Sequence, residues 1–274
     1  MLSAIEWSRG WMFAVPTVLL GLLVTATPIH AAAPESQEPG RFLRVTASTG
    51  IDFSRGDFGT DTDTDVFYVP TSLKVEWDPI FLKVTVPFVF VDGDVVLIDG
   101  QPEGIPLSVG SRDGIGDVVI AAGYGYFPND GILPAIELSG RIKIGTADED
   151  QGLGTGEEDY TIQLDLSKNV GRVTPFAAVG YRFIGDPPGV KFNDKVFASA
   201  GLSLSLGRRF SMGLAYDWAQ SAVPGSPDIQ EIAPFGSIKL SDHFAVDPYA
   251  VIGLSNSSPD WGLGTQLRVF WQRD

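Results

Sequence analysis

Twelve stretches between Phe42 and Gln272 alternate apolar and polar residues with a period of two, and the apolar faces read along them carry no charge. They fall at about 42–54, 66–77, 81–91, 117–127, 132–146, 158–167, 172–184, 195–206, 209–220, 230–240, 243–254 and 261–272. Period two is the signature of a strand, because successive side chains leave the backbone on opposite sides. In Arg172–Gly185 one side is Val173, Pro175, Ala177, Val179, Tyr181 and Phe183; the other is Arg172, Thr174, Phe176, Ala178, Gly180 and Arg182. The same phase gives Leu82, Val84, Val86, Phe88 and Phe90, then Tyr160, Ile162, Leu164 and Leu166, then Phe210, Met212, Leu214, Tyr216 and Trp218. Opposite these lie Arg44, Asp52, Lys74, Glu76, Lys83, Asp117, Glu137, Arg141, Lys143, Asp165, Arg182, Asp217, Glu231, Lys239, Asp247 and Arg268, eight acids and eight bases. Two folds fit such segments: a soluble secreted β-protein and a membrane β-barrel.

The connections separate the two. Tight turns built from "DPI", "PNDG", "SKNVG", "GR" and "SD" alternate without exception with longer links such as "RGDFGTDTDTD", "ADEDQGLGTGEE" and "GDPPGVKFND". In an up-and-down barrel every second connection lies at the same rim, and outer-membrane barrels keep short turns at the periplasmic rim and long loops outside. The ends of the apolar face agree. Trp77, Phe81, Tyr126, Phe210, Phe244 and Trp271 are placed near the short turns; Phe53, Tyr160, Phe183 and Trp218 are placed near the long loops. Two aromatic belts flanking an aliphatic middle match two membrane interfaces. The expected fold is therefore all-β, a 12-stranded antiparallel up-and-down transmembrane β-barrel over residues 42–274. Its apolar face meets lipid and its charged face lines a lumen.

The N-terminus reads differently. "WMFAVPTVLLGLLVTATPIHAAAPE" is an apolar run after Arg9 that ends in small residues, the pattern of a secretory signal cleaved within 31–33. Residues 1–33 are assigned to that signal and 34–41 to a short disordered lead. No later run is apolar enough for a membrane helix. The expected location is the outer membrane of a Gram-negative-type bacterium, with the lipid bilayer and the outer-membrane insertion machinery as partners.

Composition removes several function classes. The net charge of −15 leaves too few cations to neutralise phosphates, so no nucleic-acid partner is expected. With no cysteine there is no disulfide, thiolate metal site or thiol nucleophile. His30 falls in the signal and His243 follows a short turn, so no histidine can serve a Ser-His site at the long-loop rim. No catalytic residue, cofactor or metal site is assigned, and the chain is expected not to be an enzyme. Asp61, Asp63 and Asp65, and the run Asp148, Glu149, Asp150, Glu157, Glu158 and Asp159, are read as solvated loops rather than as Ca²⁺ or Mg²⁺ ligands. The "GLGTG" of 152–156 has no helix after it and so cannot cradle a phosphate.

The inward charges admit two uses. They can brace a narrow barrel as paired ladders, or line a polar conduit. The lumen-lining set is Arg44, Lys74, Glu76, Lys83, Asp117, Glu137, Arg141, Lys143, Asp165, Arg182, Asp217, Lys239, Asp247 and Arg268. The connection from Asp92 to Gly114 is apolar in its middle, at Val95, Val96, Leu97, Ile98, Ile105, Leu107 and Val109. Such a loop has no reason to stand in water. It is expected to fold into or over the lumen as a constriction or an apolar ligand contact, through Val95, Leu97, Ile98, Ile105 and Leu107.

One resemblance adds to this reading. Gly114-Ile115-Gly116-Asp117, Lys143-Ile144-Gly145-Thr146, Leu153-Gly154-Thr155-Gly156 with Asp159-Tyr160, and Gly180-Tyr181-Arg182-Phe183-Ile184-Gly185 resemble the outer-membrane transporter family named for the MetA pathway of phenol degradation. The resemblance implies uptake of small molecules, aromatic or apolar ones among them, and supplies no catalytic residue. The expected function is a passive outer-membrane channel for a small-molecule solute. The alternative is a non-transporting structural or adhesion-type barrel acting through its acidic loops.

Overall fold

The structure is a computed structural model and describes residues 43–98, 100–106, 110–128 and 133–273. The signal segment and the lead lie outside these residues. The strands are β1 (Leu43–Gly56), β2 (Thr64–Trp77), β3 (Ile80–Asp92), β4 (Val95–Ile98), β5 (Gln101–Pro106), β6 (Arg112–Ile115), β7 (Val118–Tyr126), β8 (Ala135–Ile144), β9 (Asp159–Ser167), β10 (Val173–Phe183), β11 (Lys195–Ser205), β12 (Phe210–Ala219), β13 (Ile229–Lys239), β14 (Phe244–Gly253) and β15 (Trp261–Arg273). Each barrel strand pairs antiparallel with its neighbours in the chain. The pairing of β1 with both β2 and β15, and of β2 with β3, closes the ring. With β6 and β7 counted as one interrupted strand, the barrel has twelve strands. Closure leaves no unpaired sheet edge, the condition for a strand-built structure to cross hydrocarbon.

The two faces are inverted relative to a soluble protein. Leu138, Ile162 and Leu263 are 54%, 57% and 56% exposed on the outside. Arg182, Lys195, Asp217 and Lys143 are at most 1% exposed inside. An apolar band that wraps a whole barrel far exceeds the few hundred Å² of apolar patch a monomer carries in water. Lipid satisfies it. The expected aromatic belts lie on this outer face, with Trp77, Tyr126, Phe210, Phe244 and Trp271 exposed at the short-turn end. Phe53 packs on Trp261 at the other end, ring centroids 5.3 Å apart.

Phe81 corrects the expected belt. It is 7% exposed and points into the lumen between outward Ile80 and Leu82, lying over Gly123 of β7. The expected fourth segment is corrected as well. Pairing begins earlier, at Arg112, and is interrupted between β6 and β7. The cause is Pro87 on β3, which has no N–H to give the ladder. Phe88 faces Ile115 but Thr85 faces Val119, so one extra residue bulges at this point. The bulge reverses the phase of the strand. Arg112 and Asp117, an odd number of residues apart, therefore both point inward and are both buried.

Short and long connections alternate with one exception, since 127–134 is longer than 57–63 and 254–260 on the opposite rim. The short ones are 78–79, 127–134, 168–172, 206–209 and 240–243. The long ones are 57–63, 93–111, 145–158, 184–194, 220–228 and 254–260. The turn around Asn129 falls partly outside the described residues. Two long links turn inward. In 93–111 the chain forms a hairpin of β4 and β5. In 145–158, Ala147 and Leu153 pack with Val66, Tyr68, Val89, Val91 and Leu97 beneath it. The "GLGTG" segment is thus buried from Gly152 to Thr155, while Asp148, Glu149 and Asp150 stay exposed.

Candidate lumen site

Strand register sorts the inward charges into rows. Starting near the short-turn end of β2, cross-strand neighbours run Lys74, Lys83, Ala121, Arg141, Thr161, Arg182 and Lys195. Seven adjacent strands contribute one residue each, five of them cationic. Lys74 lies close to the β2–β3 turn, and Lys195 is the first residue of β11 at the long-loop end. Barrel strands are tilted, so a row perpendicular to them climbs as it circles. The result is a staircase of cations from one rim to the other. A second row runs parallel, four residues further along β8 to β11 toward the short turns. It contains Glu137, Asp165, Ala178, Ser199, Asp217 and Glu231. Its charges are all acidic, and two uncharged residues interrupt it.

Short-range pairing holds particular members. Lys143 Nζ lies 3.1 Å from Asp117 and 2.9 Å from Asp159, with Thr155 Oγ1 at 3.3 Å. Arg182 Nε donates to Thr161 Oγ1 at 3.2 Å, and its guanidinium sits 5.5 Å from the centroid of Phe197. Lys74 pairs with Glu76 at 2.9 Å and lies 4.3 Å from the Phe81 ring centroid. Arg268 grips Asp247 through Nε at 2.5 Å and Nη2 at 2.9 Å. Gln163 Nε2 donates to both Asp165 oxygens at 2.8 and 2.9 Å. Toward the short-turn rim the lumen is wetter. Arg44 bonds Gln272 at 3.0 Å, and Lys239, a third exposed, pairs with Asp242 in the turn.

Sequence reasoning missed four charges and a set of rings. Asp159 and Lys195 begin their strands and share the inward phase, but in sequence Asp159 ends an acidic loop run and Lys195 follows the long link just before Val196. Glu103 and Arg112 were hidden in the long link. The rings are Phe176, Phe197, Phe235 and Tyr249, which stand inside over glycines of the next strand. A Cβ on Gly180 would come within 2.1 Å of Phe197, and one on Gly213 within 2.2 Å of Phe235. Only a residue without a side chain leaves room for a ring lying flat on the wall. Alternation hides these rings, since Phe176 sits in the polar list of its strand.

The hairpin lies across the long-loop end. Val95, Leu97 and Ile98 are fully buried, and Leu97 N donates to Gly152 O at 3.0 Å. The backbone of Ile105 is in β5; Leu107 lies outside the described residues. Arg112 clamps the hairpin base, donating to Gly93 O at 2.7 Å, Gly110 O at 3.0 Å and Val95 O. At the far side, Glu103 Oε1 accepts from Lys195 Nζ at 2.5 Å. Its Oε2 accepts from Ser221 Oγ at 3.2 Å and Ala222 N at 2.9 Å. Ile98 packs there with Ile184, Phe192 and Ala222. β3 is third and β11 eighth around a ring of twelve, so the hairpin reaches almost straight across.

His243 stays at the 240–243 turn, its Nδ1 3.1 Å from Phe270 O. Among the described residues no group of three His, Cys, Asp or Glu side chains is arranged to hold a metal ion. The expected acidic loops are tied elsewhere: Asp63 to Arg55 at 3.0 Å, and Asp159 to Lys143 in the lumen.

The fold has solved counterparts. An outer membrane channel from Pseudomonas putida F1 matches with a TM-score of 0.62 and 13% identity, over 86% of this chain and 97% of that one. The NanC porin matches with a TM-score of 0.52 and 8% identity, over 82% and 98%. At these identities the likeness is one of architecture. No curated protein sequence matches the chain. A family model does match, over residues 44–271, which is nearly the whole barrel. The chain therefore belongs to the family described as the MetA-pathway of phenol degradation.

Proposed function

We propose that this barrel is a channel of the outer membrane that admits small molecules passively and performs no catalysis. The observation that carries the reading is the hairpin of β4 and β5, which crosses a charged lumen at one end only. A filter needs a local narrowing, and a loop folded inward supplies one without altering the wall. A solved outer membrane channel and a solved porin share its fold. In this reading Val95, Leu97 and Ile98 form the constriction, and the inward charges set which solutes pass. Aromatic or apolar bodies would meet Phe176, Phe197, Phe235 and Tyr249 on the way.

Deleting residues 95–109 tests this. Conductance in planar bilayers should rise several-fold and discrimination among solutes should fall, while the barrel still folds and shows heat-modifiable mobility. One observation favours a non-transporting barrel instead: Lys143, Arg182 and Lys195 are almost wholly withdrawn from solvent. Conductance that is absent in the native protein and in the deletion alike would decide for that structural role.

Membrane orientation follows from the same reading, with Asn169 periplasmic and Glu149 at the cell surface. A cysteine placed at 149 in this cysteine-free chain should react with an impermeant thiol reagent on intact cells, and one at 169 should not. The reverse pattern would invert the barrel.

A further inference from the structure

The upper end of the cation row already holds a carboxylate. Glu103 is 3% exposed, and its two oxygens take three donors: an ammonium, a hydroxyl and a backbone N–H. Those donors belong to the barrel side, to Lys195 on β11 and to Ser221 and Ala222 just past β12. The carboxylate belongs to the hairpin. This is a complete carboxylate site, buried and charge-assisted, and the chain fills it with one of its own side chains. Directly below come Arg182, then Arg141, Lys83 and Lys74 on the same row. From outside, a polar cleft of about 610 Å³ between 184–194 and 220–228 reaches Ser221, Phe192 and Asp194.

We propose that the lumen takes small carboxylate-bearing solutes with an aromatic body, and that Glu103 occupies their first binding step until such a solute displaces it. The proposal rests on the channel reading and names its substrate class. A solute carboxylate would replace Glu103 at Lys195, Ser221 and Ala222 and would leave the hairpin held to the far wall by apolar packing at Ile98. It would then pass from cation to cation. Each step offers a charge at a spacing a long side chain can bridge, and no step is so isolated that the anion must shed all partners at once. The rings beside the cations suit the body of the solute. Phe197 backs Arg182 and Phe81 backs Lys74, so charge and aromatic surface are presented together. The acidic row is the competing path, one for cations. It is broken on two adjacent strands, by Ala178 and Ser199, whereas Ala121 and Thr161 interrupt the cation row singly, and its head is the buried pair Asp217 and Glu231.

Potassium benzoate and benzylammonium chloride carry one ring with opposite charges and separate the two paths. With the purified full-length barrel in planar bilayers, bi-ionic reversal potentials should show benzoate several-fold more permeant than benzylammonium. Glu103→Gln, which removes the resident charge, should raise benzoate current at low benzoate concentration. Arg141→Gln combined with Arg182→Gln should bring benzoate permeability down toward that of benzylammonium. If that pair fails the heat-modifiability test of folding, Lys74→Gln at the short-turn end of the row serves instead. Equal permeation of the two ions, a preference for benzylammonium, or a benzoate preference untouched by loss of row cations would each overturn the proposal. Absence of current in the native protein, in Glu103→Gln and in the 95–109 deletion would overturn the channel reading itself, and the proposal with it.

Discussion

Replacing Lys143 with alanine is expected to destabilise the barrel by about 3–5 kcal/mol, the usual cost of removing one partner from a buried ion pair. Lys143 is 1% exposed and stands between Asp117 and Asp159, themselves 4% and 1% exposed. Its loss leaves two carboxylates facing each other without a cation in a site closed to water. The effect should extend beyond β8. Asp117 Oδ1 accepts from Thr146 N at 3.0 Å and Ala147 N at 2.9 Å, and Asp159 Oδ1 from Gly185 N at 2.9 Å. The aspartates that Lys143 joins therefore anchor the 145–158 and 184–194 loops as well. Urea-dependent unfolding in lipid vesicles would measure the loss. Lys143→Ala with Asp117→Asn should recover part of it, because the double change removes one of the orphaned charges. A Lys143→Ala barrel as stable as the native one would show that the triad does not hold the wall.

On the other face, Leu164→Arg is expected to cost about 2–4 kcal/mol, the penalty for an arginine near the bilayer midplane. Leu164 points to lipid from the middle of β9, between buried Gln163 and Asp165. Leu164→Phe should leave stability almost unchanged, since the larger side chain can extend into lipid beside Leu138 and Val179. Folded fraction after vesicle insertion, read by heat-modifiable mobility, compares the two. Equal losses from both changes would mean that position 164 is packed against protein and not against lipid.

Most of the wall was legible because its information is local. A period of two shows in any strand, and lipid demands that one face stay apolar without interruption, so Leu82, Ile162 and Leu214 announce their side directly. The alternation of short and long links is equally local, and with it comes the strand count. Phe81 was misplaced because an aromatic next to a turn fits a membrane belt as well as it fits a lumen. Only Gly123 on the neighbouring strand, which leaves space for the ring, separates the two.

The sequence alone determined the barrel, its twelve strands, which face meets oil and most of the charges that turn inward, because each of these depends on residues within one strand or one turn. Only the tertiary structure decided how the charges are arranged. The row from Lys74 to Lys195 exists through the registers of six strand pairings, and a slip of one residue in any of them would break it. The contact of Glu103 with Lys195 joins residues 92 positions apart, across the lumen. Neither register nor a contact at that range leaves a mark in the periodicity of a single segment.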